Sequence, residues 1–198
     1  MERPLILFAH GAGVPSSSPW MQGWAARMDA LGEVVTFDYP YMREGRRAPD
    51  RPEVLLEAHR AACAAARREH PGPLVLAGKS MGSRISCHLA GELEAAALVC
   101  FGYPLVGQSG ALRDAPLREL RIPVLFIQGT RDRLCPLEAL ERVRAQMQAP
   151  SSLHVVESGD HSLQATKTWL RTAALDQDAV DARILEAVRA FLAAHLGG

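Results

Sequence analysis

Six short apolar runs punctuate the chain: Leu5–Ala9, Glu33–Phe37, Leu74–Ala77, Ala97–Phe101, Val124–Gln128 and Leu153–Val156. Several are rich in Val, Ile or Leu and show little alternation, which is how strands buried on both faces read. Between them the apolar spacing shifts to a helical period. Trp20–Ala30, Glu53–Arg68, Ser83–Ala90, Leu137–Met147 and Val180–His195 are predicted helices. Ser18 is placed to cap the first of these, with Pro19 at its first turn, and Pro52 opens the second. Strand and helix alternate from end to end. That pattern predicts an α/β fold, a doubly wound, mostly parallel six-stranded sheet with helices on both faces. A chain of 198 residues is enough for one such domain, 1–198. The irregular stretches His10–Ser18, Asp38–Arg51, Tyr103–Arg121 and Ser158–Gln177 all begin at strand ends. In open α/β sheets, ligands bind outside the carboxyl ends of the strands.

Composition narrows the function classes. The 22 basic and 22 acidic side chains cancel, so no nucleic-acid or membrane-surface partner is expected. No apolar run is long enough to span a bilayer. The N-terminus reads straight into a strand without a signal-peptide pattern. Cys63, Cys87, Cys100 and Cys135 are scattered through apolar patterns without a C-x-x-C pair, as buried free thiols would be. A cytoplasmic location follows as the expectation. Neither a metal nor another cofactor is called for, and the oligomeric state is open.

The chemistry begins at Gly78-Lys79-Ser80-Met81-Gly82, a G-x-S-x-G pattern between a strand and a helix. In that context it reads as a nucleophile elbow, a sharp turn that projects the serine at a helix N-terminus. Gly78-Lys79-Ser80 also resembles the end of a P-loop. However, Gly72 is too far upstream, and the residues between are a strand rather than a glycine-rich loop.

Ser80 needs a base, because a free hydroxyl is a poor nucleophile at neutral pH. Of the seven histidines, His161 lies in a polar loop just past the last strand. Asp132, where a strand runs into a turn, is the best acid to orient it, and Asp160 ranks below. The order Ser80, Asp132, His161 is the one expected on an α/β-hydrolase sheet. Oxyanion donors are expected from the Met81 amide and from the first loop, where Ala12 is favoured over Gly11. The same loop reads as a degenerate dinucleotide fingerprint, Gly11-x-Gly13-x-x-Ser16. Pro15 and Pro19 are incompatible with the helix that such a site requires.

Matching segments extend beyond these positions: HGAG at His10, FDYPYM at Phe37, GRRAPDRP at Gly45, GKSMGSR at Gly78, GYP at Gly102, QGTRD at Gln128 and GDHSL at Gly159. Through them the chain resembles small α/β-hydrolases of the dienelactone-hydrolase-like kind. More narrowly, it resembles bacterial hydrolases related to testis-expressed protein 30 and NSL-complex subunit 3. The resemblance implies a Ser80–Asp132–His161 triad. It also implies the hydrolase strand order without the two N-terminal antiparallel strands of larger members. Dienelactone hydrolases use cysteine where this chain has Ser80, so their substrate does not carry over.

The expected activity is cleavage of an ester-like bond in a small-molecule acyl substrate. The alternative is a catalytically silent scaffold that binds other proteins. Arg46 and Arg47 are candidates to pair with a substrate anion, set against a structural reading in which they bind Glu44, Asp50 or Glu53. The Tyr103–Arg121 connection is too short for a cap domain, which predicts an open site.

Overall fold

The computed structural model describes residues 2–107 and 109–196. All six expected strands form, as β1 (Leu5–Ala9), β2 (Glu33–Phe37), β3 (Leu74–Lys79), β4 (Ala97–Phe101), β5 (Val124–Gly129) and β6 (Ser151–Val156). They make one sheet in the order β2-β1-β3-β4-β5-β6, and every pairing is parallel. β3, β5 and β6 are longer than their apolar cores, because Gly78, Lys79, Gly129 and Ser151 still pair with neighbours.

Alternate side chains of each strand serve opposite faces. Leu5 and Leu7 join a cluster with Cys63, Cys87, Leu117 and Leu140. Ile6 and Phe8 join one with Met21, Trp24, Ile184 and Val188. The helices α3 (Pro52–Glu69), α4 (Met81–Leu89), α5 (Ala115–Glu119) and α6 (Leu137–Arg144) therefore cover one face. Helices α1 (Pro19–Met28) and α8 (Gln177–Leu196) cover the other. Ser18 caps α1, accepting a hydrogen bond from the Met21 amide, and Pro19 opens it. Three short helices, α2 (Pro40–Arg43), α5 and α7 (Lys167–Thr172), lie in stretches read from sequence as irregular. The Cys63, Cys87, Cys100 and Cys135 thiols are free and buried.

The chain leaves β1 toward one sheet edge through β2 and returns to β3 on the other side of β1. The order reverses between β1 and β3, the crevice where such sheets bind ligands. The loop after β1 and the turn after β3 both open there.

Candidate active site

Ser80 occupies the turn between β3 and α4 with φ 51° and ψ −112°. This left-handed conformation is costly for a residue with a Cβ and persists only where the surroundings fix it. Those surroundings are tight. A Cβ on Gly78 would lie 2.2 Å from the Ser83 nitrogen, and one on Gly82 would lie 2.3 Å from the Ala9 oxygen. The Ser80 amide donates to the Phe101 carbonyl at 3.0 Å, and its carbonyl accepts from the Ser83 hydroxyl at 2.6 Å. The turn is therefore clamped on the sheet side and the helix side.

The Ser80 hydroxyl lies 2.9 Å from Nε2 of His161. Nδ1 of the same ring lies 2.7 Å from Oδ2 of Asp132. The carboxylate is held in turn: Oδ1 accepts the Leu134 amide at 2.9 Å, and Oδ2 also accepts the Gln128 side-chain amide. Burial alone would raise the Asp132 pKa, but the hydrogen bond and charge of His161 and the two amides outweigh it. The net shift is downward. An ionised acceptor at Nδ1 fixes the proton there and leaves Nε2 free to accept from Ser80. Asp160 is excluded from this relay. Its Oδ1 takes the Ser162 and Gln164 amides at 2.8 and 3.0 Å, shaping the loop that presents His161.

A family described as an alpha/beta hydrolase domain matches residues 2–192. The chain belongs to this α/β-hydrolase family. Its fold is shared by solved structures of low sequence identity. An alpha-beta serine hydrolase homologue from Coxiella burnetii superposes with a TM-score of 0.70 at 20% identity, over 81% of this chain and 77% of that one. An α/β serine hydrolase without lid from Xanthomonas campestris gives 0.70 at 21%, over 87% and 79%. A dienelactone hydrolase from Anabaena variabilis gives 0.71 at 19%, over 98% and 87%.

In this α/β-hydrolase fold the first loop passes directly beside the serine. A Cβ on Gly11 would sit 3.5 Å from the Ser80 Cβ. Ala12 and Met81 line one cavity with Ser80. Met81 is the first residue of α4, so its amide has no intrahelical acceptor. His10 anchors this loop, a role that the sequence reading did not assign. Its fully buried ring places Nδ1 2.7 Å from the Gly11 carbonyl, while Nε2 accepts the Tyr39 amide at 3.1 Å. Burial lowers its pKa, and these partners suit the neutral ring with its proton on Nδ1. The contact with Asp38, at 3.7 Å, is therefore not an ion pair.

Lys79, which the sequence reading assigned no catalytic part, and Trp20, which it did not single out, both hold the site. The buried Lys79 ammonium donates to the His161 carbonyl and lies 5.6 Å from the Trp20 ring centroid. The indole N–H of Trp20 donates to the next carbonyl, Ser162, at 2.9 Å. Together they fasten the His161 loop to β3 and α1. Burial lowers the Lys79 pKa to about 8, against an opposing pull from Asp132 and Asp160. The only sequence signal was position, since Lys79 is adjacent to Ser80.

Two cavities meet at Ser80, of about 470 and 430 Å3, and share Ala12, Ser80 and Leu134. The larger runs toward Leu55, Pro104, Arg84 and Arg113. The smaller is bounded by Val14, Trp20, Met21 and His161. Neither includes Arg46 or Arg47 in its lining. Arg46 instead binds Glu44 and Asp50, each at 2.7 Å, as the structural reading of that loop expected. Within the Tyr103–Arg121 connection, Val106 is bridged antiparallel to Leu112, and α5 follows. Among the described residues no cluster of His, Cys, Asp or Glu is arranged to hold a metal. None of their helices is long and apolar enough to cross a membrane.

Proposed function

We propose that the protein is a serine hydrolase that cleaves an ester-like bond through an acyl-enzyme, with Ser80, His161 and Asp132 as its catalytic triad. The observation that carries this reading is the unbroken relay from the Ser80 hydroxyl through His161 to a buried carboxylate, at 2.9 and 2.7 Å. His161 takes the Ser80 proton as Oγ attacks the carbonyl carbon. The Met81 and Ala12 amides receive the oxyanion, with Gly11 shaping the loop beside it. His161 then passes the proton to the departing oxygen. Water, deprotonated by the same ring, releases the acyl group. The acid product and the alcohol leave, and the site returns to its starting protonation.

The proposal includes a single domain working in a reducing cytoplasm, a setting that suits four free, buried thiols. It also includes the narrower relationship to the bacterial relatives of testis-expressed protein 30 and NSL-complex subunit 3. The segments at His10, Phe37, Gly45, Gly78, Gly102, Gln128 and Gly159 carry that likeness. Of these, Phe37–Met42 supplies the buried Tyr39 and Tyr41, which cluster with Met81 and Ile85.

A fluorophosphonate probe tests the mechanism. Folded protein should form a covalent adduct on Ser80, and the adduct should vanish in Ser80→Ala. Folded protein that stays unlabelled and leaves short-chain esters, thioesters and amides intact would overturn the reading in favour of a silent scaffold.

A further inference from the structure

Ser80 stands between two chemically different cavities, and their difference bears on substrate. The smaller is walled by Val14, Trp20, Met21 and Leu134 and includes His161 and Lys79, whose ammonium is already engaged by the His161 carbonyl. The larger holds two partly buried guanidiniums, Arg84 and Arg113, on a wall that also contains Leu55, Pro52, Pro104 and Val106. Among the described residues neither Arg84 nor Arg113 forms an ion pair with a carboxylate. Nε of Arg84 is buried with no hydrogen-bond partner. A buried charged donor left unpaired is costly, so such a group is expected to gain from an anion.

Both arginines project from an anchored backbone. Arg84 lies on α4 one turn beyond the nucleophile, with its amide bonded to the Ser80 carbonyl at 3.2 Å. Arg113 is fixed through its backbone. Its amide donates to the Leu105 carbonyl at 2.7 Å, and its carbonyl accepts the Tyr103 hydroxyl at 2.7 Å. The one carboxylate on the same wall, Asp50, is already occupied by Arg46 and by the Tyr41 amide. Net charge on this side of Ser80 is therefore positive.

The direction of the substrate follows from proton transfer. His161 must reach the leaving oxygen, so the alcohol portion belongs in the cavity that His161 lines. The acyl portion then extends the other way, past Leu55, Pro104 and Val106 to the arginines. Resting on the hydrolase reading above, the geometry points to a substrate whose acyl chain ends in a carboxylate: a half-ester of a dicarboxylic acid with an apolar alcohol. Arg84 and Arg113 bind the free carboxylate. The ester C–O bond breaks, one water is consumed, and the products are the dicarboxylate, the alcohol and one proton.

The test compares mono-para-nitrophenyl adipate with para-nitrophenyl hexanoate as a ratio of kcat/KM within each protein. The wild type should favour the charged ester. Arg84→Met combined with Arg113→Met should lower the ratio by about 30-fold or more, the scale of charge-assisted hydrogen bonds. Arg84→Lys should retain part of it. Because both esters are read in the same protein, general damage to the fold or the elbow cancels. A wild-type ratio below one, or a ratio that the double substitution leaves unmoved, overturns the proposal.

Calorimetry of monoethyl adipate against its diethyl ester, in Ser80→Ala with and without the arginine changes, reads the subsite without turnover. Preferential binding of the anion that disappears with the arginines supports the subsite even if Ser80 proves inert, in which case only the hydrolase reading fails. Equal binding of the two esters overturns the subsite itself.

Discussion

Asp132 shows how much a single side chain can control. Its two oxygens take three donors, and only an acceptor at Oδ2 keeps the His161 proton on Nδ1. In Asp132→Asn, the carboxamide oxygen can keep the Leu134 amide only by turning its NH2 toward His161. The ring must then carry its proton on Nε2, facing Ser80, where it cannot act as a base. We expect kcat to fall by roughly 10³–10⁴ with folding little changed, as tautomer control requires. Ester turnover and thermal melting on the same sample check this, and a loss below tenfold would contradict it. Asp132 and His161 were legible in sequence because each follows an apolar strand in the expected chain order. His10 and Trp20 were not. They act through hydrogen bonds to backbone carbonyls and amides distant in sequence, and nothing in a residue's neighbours records such a partner.

At the scale of elements, the strand–turn–helix unit around Ser80 works because two glycines let three chain segments touch. An added methyl at Gly82 would meet the Ala9 carbonyl at 2.3 Å, and backbone cannot yield as a side chain can. Gly82→Ala should therefore destabilise by about 3 kcal/mol, at the upper end of ordinary overpacking. Gly91 has open space around its Cβ position. Gly91→Ala should be neutral or slightly stabilising, by well under about 1 kcal/mol. Urea denaturation of both variants is the measurement, and equal midpoints would refute the contrast. The short helices α2, α5 and α7 escaped the sequence reading for a related reason. One turn or two is too short for apolar periodicity to register, so only their tertiary seats define them. The longer strand and helix boundaries shifted by a few residues at most.

Across the whole molecule, the buried Lys79 ammonium couples the site to stability. Its folded pKa is about 8, depressed from 10.5 by burial. For a base, depression means that the unfolded chain binds more protons between those two values, so this group's contribution to stability rises with pH there. Below about pH 8 the full cost of burying the charge is present, on the order of 3 kcal/mol. Lys79→Met removes that dependence. The stability of the wild type relative to Lys79→Met should therefore increase from pH 7 to above pH 10.5, measured by urea unfolding at each pH. Parallel curves would refute it. The cost is incurred at the site, where the ammonium holds the His161 carbonyl and thereby the imidazole.

The sequence by itself determined the alternation of strands and helices, the strand–turn–helix around Ser80, and the order in which Ser80, Asp132 and His161 appear. Periodicity, turn chemistry and strand-end position are local properties, written into adjacent residues. Tertiary structure alone decided that the three side chains meet at hydrogen-bond distance, because that depends on strand order and on how far each loop reaches. It also decided which arginines stand beside the serine. From sequence only Arg46 and Arg47 were weighed for a substrate anion, and Arg46 is held by Glu44 and Asp50. Arg84 and Arg113 reach the cavity, since a charge is free or paired only according to what the fold sets against it.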